Sequence, residues 1–200
     1  MLLIHRIGDI PQAAGAMAEM RSALRQLGVA DVHIAAGWSG LPGDDELPTD
    51  PTALGVDAYY EMPPHRLPKV PLRPLPADLA DHFTGDVYDY NATVSAALGR
   101  LAQDDTDRRH RGVMAGWDCT PRRKSPTDIY HGSTPANFRR WLRGVIEHEA
   151  NQPGERVIFI NAWNDWGEGA HLEPDQDFGR GWLEAVASAA GYSVGQRGAG

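Results

Sequence analysis

The chain of 200 residues carries a formal net charge of −8, and 42% of its residues are hydrophobic. A chain of this length and composition can bury one sizeable core, while its acidic balance argues against a general affinity for nucleic acid or anionic membranes. The single cysteine, Cys119, excludes an intramolecular disulfide framework and a cysteine-rich zinc site.

The N-terminal segment, MLLIHRIGDI, has too short an apolar run for a secretory leader. No other segment reaches the apolar length that a membrane span requires. We therefore expect a cytoplasmic protein without a membrane span.

Five apolar runs predict short strands. Runs that are apolar almost throughout are typical of strands covered on both faces. In chain order they are LLIH (2–5), VHIAA (32–36), VDAYYEM (56–62), GVMAGW (112–117) and VIFINAW (157–163).

Four segments with helical periodicity follow or separate these strands. The third is the clearest, because Thr134 can cap it and Pro135 suits its first turn. Gly28 is placed to end the first helix. The apolar stripes run from Ala13 to Leu27, from Val94 to Leu101, from Phe138 to Ile146 and from Trp182 to Ala190. Alternation of strand and helix predicts parallel βα units in one domain over residues 1–190, with a flexible tail at 191–200.

The predicted loops that leave the strands are long, and those that enter them are short. In parallel α/β proteins, functional residues collect at the carboxyl ends of the strands. The long loops cover residues 37–55, 63–88, 118–133 and 164–178. Within them, the proline-rich stretch 63–78 predicts a stiff surface loop or lid border. The charged run DDTDRRHR at 104–111 predicts a solvated connection between a helix and a strand.

Acidic and aromatic residues alternate along these strand exits. Aromatic rings pack against the C–H faces of sugars, while carboxylates and amides bond to hydroxyls, so the pattern indicates a carbohydrate substrate. Asp165 and Glu168 supply the paired carboxyls that glycosidic bond chemistry needs, provided that the chain between them curls as a helical turn. The expected substrate-binding residues are Trp38, Glu61, His65, Trp117, Asp118, Trp163, Asn164, Trp166 and Glu173.

Each of these residues also has an ordinary structural interpretation. Trp163 can belong to the core, Asp165 can form a turn and Glu168 can contact the following helix. The histidines at 65, 131 and 171 have no closely spaced partner, so we expect no metal site. Motifs for phosphate binding, dinucleotide binding and a hydrolase nucleophile are absent from the sequence, so we expect no cofactor.

Four stretches together resemble a known family. FINAWNDWGEGAHLEPDQDFGRGWLEA (159–185) is similar to the C-terminal signature of the WbsX-like family, described as glycosyltransferases of polysaccharide biosynthesis and as glycoside hydrolase family 99-like proteins. The family's other blocks are matched by GVDAYYEMPPH (55–65), GVMAGWDCTPRR (112–123) and GSTPANFRRWL (132–142).

The resemblance implies a (β/α)₈ TIM-type barrel with the site at its carboxyl-end mouth. Such barrels need about 250 residues and eight strands, so the five predicted here correspond to an incomplete barrel. The resemblance then implies a missing N-terminal barrel segment as a partner. A five-stranded doubly wound sheet is the alternative fold that fits the strand count without truncation.

In the related endo-acting α-mannosidases of family 99, an N-E-W-x-E-G segment supplies two catalytic carboxylates. Matched residue by residue, the resemblance implies that Glu168 is the acid/base and that Asp165 assists attack by the sugar's own 2-hydroxyl through a 1,2-anhydro sugar. Asp165 departs from the family's glutamate. One missing methylene shortens the reach by about 1.5 Å, and a misplacement of about 1 Å can cost on the order of 100-fold in rate.

Three functions follow as hypotheses. The first is an enzyme of the family 99-like type that acts on α-linked glycosides in polysaccharide. The second is a glycosyltransferase of O-antigen, lipopolysaccharide or capsule assembly, which needs an activated sugar donor. The third is a truncated, non-catalytic sugar-binding remnant.

Overall fold

The structure is a computed structural model that describes residues 1–39, 47–77, 79, 83–101, 108–122, 126–152 and 157–192. The chain divides into two compact units, each built from separate stretches of sequence. Unit 1 comprises residues 1–66, 106–112 and 155–159, and unit 2 comprises residues 67–105, 113–154 and 160–200. Residues 104–107 of the charged run and 193–200 of the predicted tail lie outside the described part of the chain.

Unit 1 contains a four-stranded parallel sheet, and its strands lie side by side in the order in which they occur along the chain. These strands are β1 (Leu2–Ile4), β2 (Ile34–Trp38), β3 (Ala58–Glu61) and β5 (Arg109–His110). The helix α1 (Ala13–Gln26) follows β1 and ends before Gly28, which has a φ of +82°. The predicted parallel arrangement and the helix stop at Gly28 are confirmed.

The core of unit 1 forms on both faces of this sheet. Ile34 and Ala36 pack with Met17 of α1, whereas Ala35 lies in a separate cluster with Tyr60. Successive residues of a strand point to opposite faces, so burial of all three consecutive residues means that both faces are covered. The near-continuous apolar pattern predicted this environment correctly.

Strand β5 contradicts the prediction of a solvated connection at 104–111. Arg109, His110 and Arg111 are all buried. The Arg109 guanidinium lies 3.3 Å from the ring centre of Trp38, and Arg111 Nη1 donates to Glu61 Oε1 at 3.0 Å. Burial of these cations is compensated by partners on other strands, so charge alone gave the wrong environment.

Unit 2 contains helices α2 (Tyr90–Leu101), α3 (Pro135–Ala150) and α4 (Gly181–Ala189), and α3 packs against both of the others. Thr134 caps α3 as predicted, since its Oγ1 accepts a hydrogen bond from Asn137 N at 3.3 Å. Phe138 and Trp141 are buried on the stripe that the sequence indicated. None of the helices in the described segments has the length and apolar character needed to cross a bilayer.

Short strands in unit 2 lie inside stretches that the sequence predicted as loops. Strands β4 (Val87–Asp89) and β8 (Ile129–His131) pair in parallel, and β7 (Trp117–Asp118) pairs antiparallel with β8. The predicted strand 112–117 is therefore divided: β6 (Gly112–Met114) pairs with β9 (Phe159–Asn161), while Trp117 belongs to β7. Within the proline-rich stretch, Pro71 forms only an isolated bridge with Tyr88.

Candidate active site

The candidate site is built on a hairpin that follows β9 in unit 2. Strands β10 (Asn164–Asp165) and β11 (Ala170–His171) pair antiparallel, and a 3₁₀ turn over Trp166–Glu168 connects them. This is the helical turn that the spacing of Asp165 and Glu168 requires. Gly169 closes it with a φ of +60°, and a Cβ there would lie 2.9 Å from Asp118 N, so a side chain is excluded on both grounds.

Asp165 and Glu168 converge on the same cation. Arg122 Nη1 lies 2.8 Å from Glu168 Oε1 and 3.7 Å from Asp165 Oδ2. The Glu168 side chain retains only 16% of its exposure, whereas that of Asp165 retains 37%. Cys119 Sγ lies 3.8 Å from the same Oε1 of Glu168. The turn thus places two carboxylates, a guanidinium and a buried thiol in one group.

The loop after β7 holds Arg122 in position. Asp118 Oδ1 accepts a hydrogen bond from Thr120 N at 2.9 Å, and Arg122 N donates to Cys119 O at 3.1 Å. Both contacts turn the backbone back on itself, as a short Asx turn does. Strand β7, which carries Trp117 and Asp118, packs against the 3₁₀ turn.

Trp166 forms an exposed aromatic platform beside the carboxylates. Its ring stacks on His171, with centroids 3.8 Å apart and an interplanar angle of 16°. Its Nε1 donates to Glu173 Oε2 at 2.7 Å, which fixes the orientation of the indole. Despite both contacts, Trp166 remains 48% exposed. The side chain is held rigidly and still presents a surface to solvent.

Asp175 supports this platform through its contact with His171, the residue on which Trp166 stacks. Its Oδ2 accepts from Trp182 Nε1 at 2.7 Å and lies 3.1 Å from His171 Nε2, while its Oδ1 accepts from Phe178 N at 2.5 Å. Burial alone would raise the pKa of Asp175, but the hydrogen bonds from Phe178, Trp182 and His171 together hold it below its ordinary value. Asp175 was not among the predicted site residues.

The remaining predicted residues of unit 2 lie at different depths. Trp163, at the base of the hairpin, is 55% exposed, and its carbonyl accepts from Leu172 N at 2.9 Å. Asn164 is exposed, whereas Trp117 and Asp118 are half-buried. Within the described residues, no three His, Cys, Asp or Glu side chains are grouped so as to hold a metal ion.

The other three predicted binding residues, Trp38, Glu61 and His65, belong to unit 1. Trp38 and Glu61 are register partners at the carboxyl ends of β2 and β3. The sequence predicted both residues at strand ends. The Glu61 carboxylate accepts hydrogen bonds from Arg111 Nη1 and Gly112 N, each at 3.0 Å. His65 is half-buried, and its backbone N donates to Met62 O at 3.0 Å.

Arg122 is the functional candidate that sequence reasoning missed. It lies 46 residues from Glu168, so no local spacing reveals the contact. The available signal was its place in the block GVMAGWDCTPRR, one of the four stretches that carry the family resemblance.

A solved structure described as a glycoside hydrolase-like protein is similar to this chain with a TM-score of 0.56 and 11% sequence identity. The match covers 96% of this chain and 54% of the other. At this identity the likeness supports the mixed α/β fold alone.

Sequence comparison gives the family. The uncharacterized protein WxcX, from two strains of Xanthomonas campestris pv. campestris, is 34% identical over 191 residues, or 94% of this chain. The chain spans about a quarter of the length of these curated relatives, of which 26% is matched. The model of the family described as "Glycosyltransferase WbsX" matches residues 1–186. This confirms the resemblance carried by the four sequence stretches, and the chain belongs to the WbsX glycosyltransferase family.

Proposed function

We propose that this chain carries the catalytic part of a carbohydrate-active enzyme that cleaves or transfers glycosidic bonds with Asp165 and Glu168. The observation that carries the proposal is the convergence of both carboxylates on Arg122 Nη1. An exposed, fixed indole lies on the turn between them. Paired carboxyls beside an aromatic platform are what binding and breaking a glycosidic bond require.

The spacing of the two carboxylates favours a retaining outcome. Both oxygens lie within 3.7 Å of one nitrogen atom. Their separation therefore falls at or below the short end of the range of about 6.5–9.5 Å that leaves room for a water molecule in inverting glycosidases. This supports the two-step route that the family resemblance implies.

In the first step of that route, Asp165 removes the proton from the sugar's 2-hydroxyl while O2 attacks C1. Glu168 protonates the departing glycosidic oxygen, and a 1,2-anhydro sugar forms. In the second step, Glu168 removes a proton from an incoming water or sugar hydroxyl, which opens the anhydro ring at C1, and Asp165 returns the proton to O2. Water as the acceptor gives hydrolysis, and a sugar hydroxyl gives transfer.

The substrate is proposed to be an α-linked polysaccharide or oligosaccharide. Trp166 and Trp163 provide exposed rings for the C–H faces of sugar units. Glu173 bonds the Trp166 indole, so we assign it to fixing that platform as well as to sugar binding.

An incomplete (β/α) barrel is the fold that we propose for this chain. Its support is the strand order of unit 1, in which β1, β2, β3 and β5 are parallel and follow chain order. A doubly wound sheet reverses its order at a switch point, and this sheet has none among its four strands. The proposed partner is a further barrel segment that completes the site.

The family's description favours a second candidate, a glycosyltransferase of O-antigen or capsule assembly that uses a sugar nucleotide. The phosphates of a sugar nucleotide would bring negative charge into the site. The candidate site already holds the carboxylates of Asp165 and Glu168 with Arg122 as their shared cation, so electrostatic complementarity favours a neutral sugar chain. Consumption of a sugar nucleotide by the purified protein would decide for the transferase.

Glu168→Gln tests the proposal. The amide keeps the size of the side chain but neither donates a proton to the leaving oxygen nor accepts one from water. With fluorescently end-labelled α-linked oligosaccharides, we expect turnover to fall by at least about 100-fold while sugar binding survives. The matched control is Glu147→Gln, because Glu147 forms a comparable pair with Arg143 at 2.7 Å on the surface of α3.

Equal turnover by Glu168→Gln and the wild type would overturn the proposal. Sugar binding by a wild-type protein that turns over neither oligosaccharides nor sugar nucleotides would instead establish the non-catalytic remnant.

A further inference from the structure

Arg122 occupies an unusual place in the candidate site. Its Nη1 faces both carboxylates, at 2.8 Å from Glu168 Oε1 and 3.7 Å from Asp165 Oδ2. Its side chain is 58% exposed, so burial does not dictate its position. Its Cδ lies 3.7 Å from the point where a Cβ on Gly167 would stand, which places the stem along the glycine of the turn.

We propose that Arg122 is a positioning residue that sets the distance and orientation of the Asp165 and Glu168 carboxylates. The inference rests on the proposed function, since it concerns the same pair of groups. Arg122 acts through these carboxylates and not on the sugar. A guanidinium is suited to this role because its planar fork directs several N–H donors at once, whereas an ammonium is a point charge.

The unequal lengths of the two acids give this role its importance. Glu168 reaches Arg122 at hydrogen-bond distance, whereas the shorter Asp165 stops at 3.7 Å. Without the cation, two like charges on one short turn repel each other and separate. Catalytic geometry is sensitive to displacements of about 1 Å, which can cost on the order of 100-fold in rate.

The kinetic test compares Arg122→Ala and Arg122→Lys with the wild type on the oligosaccharide substrate. We expect Arg122→Ala to lower kcat by about 10–100-fold with KM within about twofold, because the loss is one of alignment. Guanidinium ion added to Arg122→Ala should restore part of kcat, since the site is open to solvent, and Arg122→Lys should fall between the two. Arg143→Ala is the control, because Arg143 is similarly exposed and forms a comparable ion pair on α3.

An unchanged kcat in Arg122→Ala would overturn the proposal while leaving the proposed function intact. A rise in KM with unchanged kcat would also overturn it, because Arg122 would then bind the substrate directly. A guanidinium ion that fails to restore any activity to a folded Arg122→Ala protein would count against it in the same way.

A second readout does not depend on turnover. Cys119 is the single cysteine of the chain, and its Sγ lies 3.8 Å from Glu168 Oε1. Removing the guanidinium takes away a positive charge 2.8 Å from the carboxylate that lies beside the thiol, which disfavours ionisation of the thiol. The thiol is buried, so its ionisation is followed without a reagent, as the ultraviolet absorbance of the thiolate against a Cys119→Ser blank. The midpoint pH of this titration should rise in Arg122→Ala.

Glu168→Gln provides the matched background for this readout. There the Arg122→Ala substitution should shift the thiolate titration much less, because the carboxylate is already gone. An identical profile in wild type and Arg122→Ala would overturn the positioning role. If the wild type turns over no glycoside, the proposed function fails, while the thiolate titrations still report on Arg122 and Glu168.

Discussion

The indole ring of Trp166 lies nearly parallel to the imidazole ring of His171, 3.8 Å away, and its N–H is bonded to Glu173. One side of the indole is thereby occupied by the protein, while the residue as a whole stays 48% exposed. An aromatic side chain that is held in one orientation loses little conformational entropy when a ligand binds to it.

Trp166→Ala should weaken sugar binding. Loss of the ring removes the stacking surface, and an effect of about 1.4 kcal/mol corresponds to a tenfold rise in the dissociation constant. Isothermal titration with an oligosaccharide measures it. Tyr192→Ala removes another exposed aromatic ring, at the end of α4, and should leave the affinity unchanged. Equal affinities for Trp166→Ala and Tyr192→Ala would contradict the assignment of the platform.

Asp165→Glu should raise kcat, and Asp165→Asn should lower it by at least about 100-fold. The added methylene extends the carboxylate by about 1.5 Å, one carbon–carbon bond, and restores the residue type of the resembling family. The amide has similar size but cannot take the proton of the 2-hydroxyl. Single-turnover rates on the same substrate measure both variants. A glutamate variant as slow as the asparagine variant would show that reach is not the limitation.

Asp175→Ala should loosen the platform, because His171 and Trp182 both lose their carboxylate partner. We expect a lower melting temperature. The affinity for the oligosaccharide should also fall, as it should in Trp166→Ala. Near-ultraviolet circular dichroism reports the environment of the tryptophans. An unchanged affinity in this variant would show that Asp175 does not contribute to sugar binding.

The contribution of Asp175 should also depend on pH. Its folded pKa lies below the ordinary value, so the stabilisation is present above the unfolded pKa of about 3.9. It is lost as the pH falls through the lower folded pKa. Thermal unfolding of wild type and Asp175→Asn from pH 7 to pH 3 should therefore converge at the acidic end. A difference in stability that grows toward acid would contradict the lowered pKa.

Alanine substitutions at two glycines of unit 2 should change the free energy of unfolding in opposite directions. A Cβ on Gly85 would overlap the carbonyl oxygen of Thr127, and the backbone cannot yield as a side chain can. Gly85→Ala should therefore destabilise the protein by about 1–3 kcal/mol. Gly99, on the exposed face of α2, has nothing within 4 Å of its Cβ position, so Gly99→Ala should stabilise by about 0.5–1 kcal/mol. Urea unfolding measures both, and a common sign would contradict the packing at Gly85.

The helices and the turn between Asp165 and Glu168 were predictable because their determinants are close in sequence. Thr134 and Asn137, which form the cap of α3, are three residues apart, and Gly28 follows α1 directly. Likewise Asp165 and Glu168 share one turn. Local chemistry suffices in each case.

What the sequence did not reveal depends on partners that are distant along the chain. Arg109 and Arg111 are buried because Trp38 and Glu61 receive their guanidinium groups, and the Glu61 contact spans 50 residues. Arg122 reaches Glu168 over a similar separation. The sequence of a charged run does not show whether its side chains are solvated or buried in ion pairs. Only the tertiary contacts distinguish these two environments.

The position of Glu61 changes how its variants must be assayed. This carboxylate is the acceptor for a buried arginine and for a backbone N–H, and a second buried arginine lies 3.9 Å from it. Removing one partner of such a group leaves buried charge uncompensated, which destabilises the native state. Inactivity of a Glu61→Ala enzyme would thus be explained first by a destabilised fold and only then by loss of a catalytic or binding group. The unfolding curve of this variant has to be measured before its kinetics are interpreted.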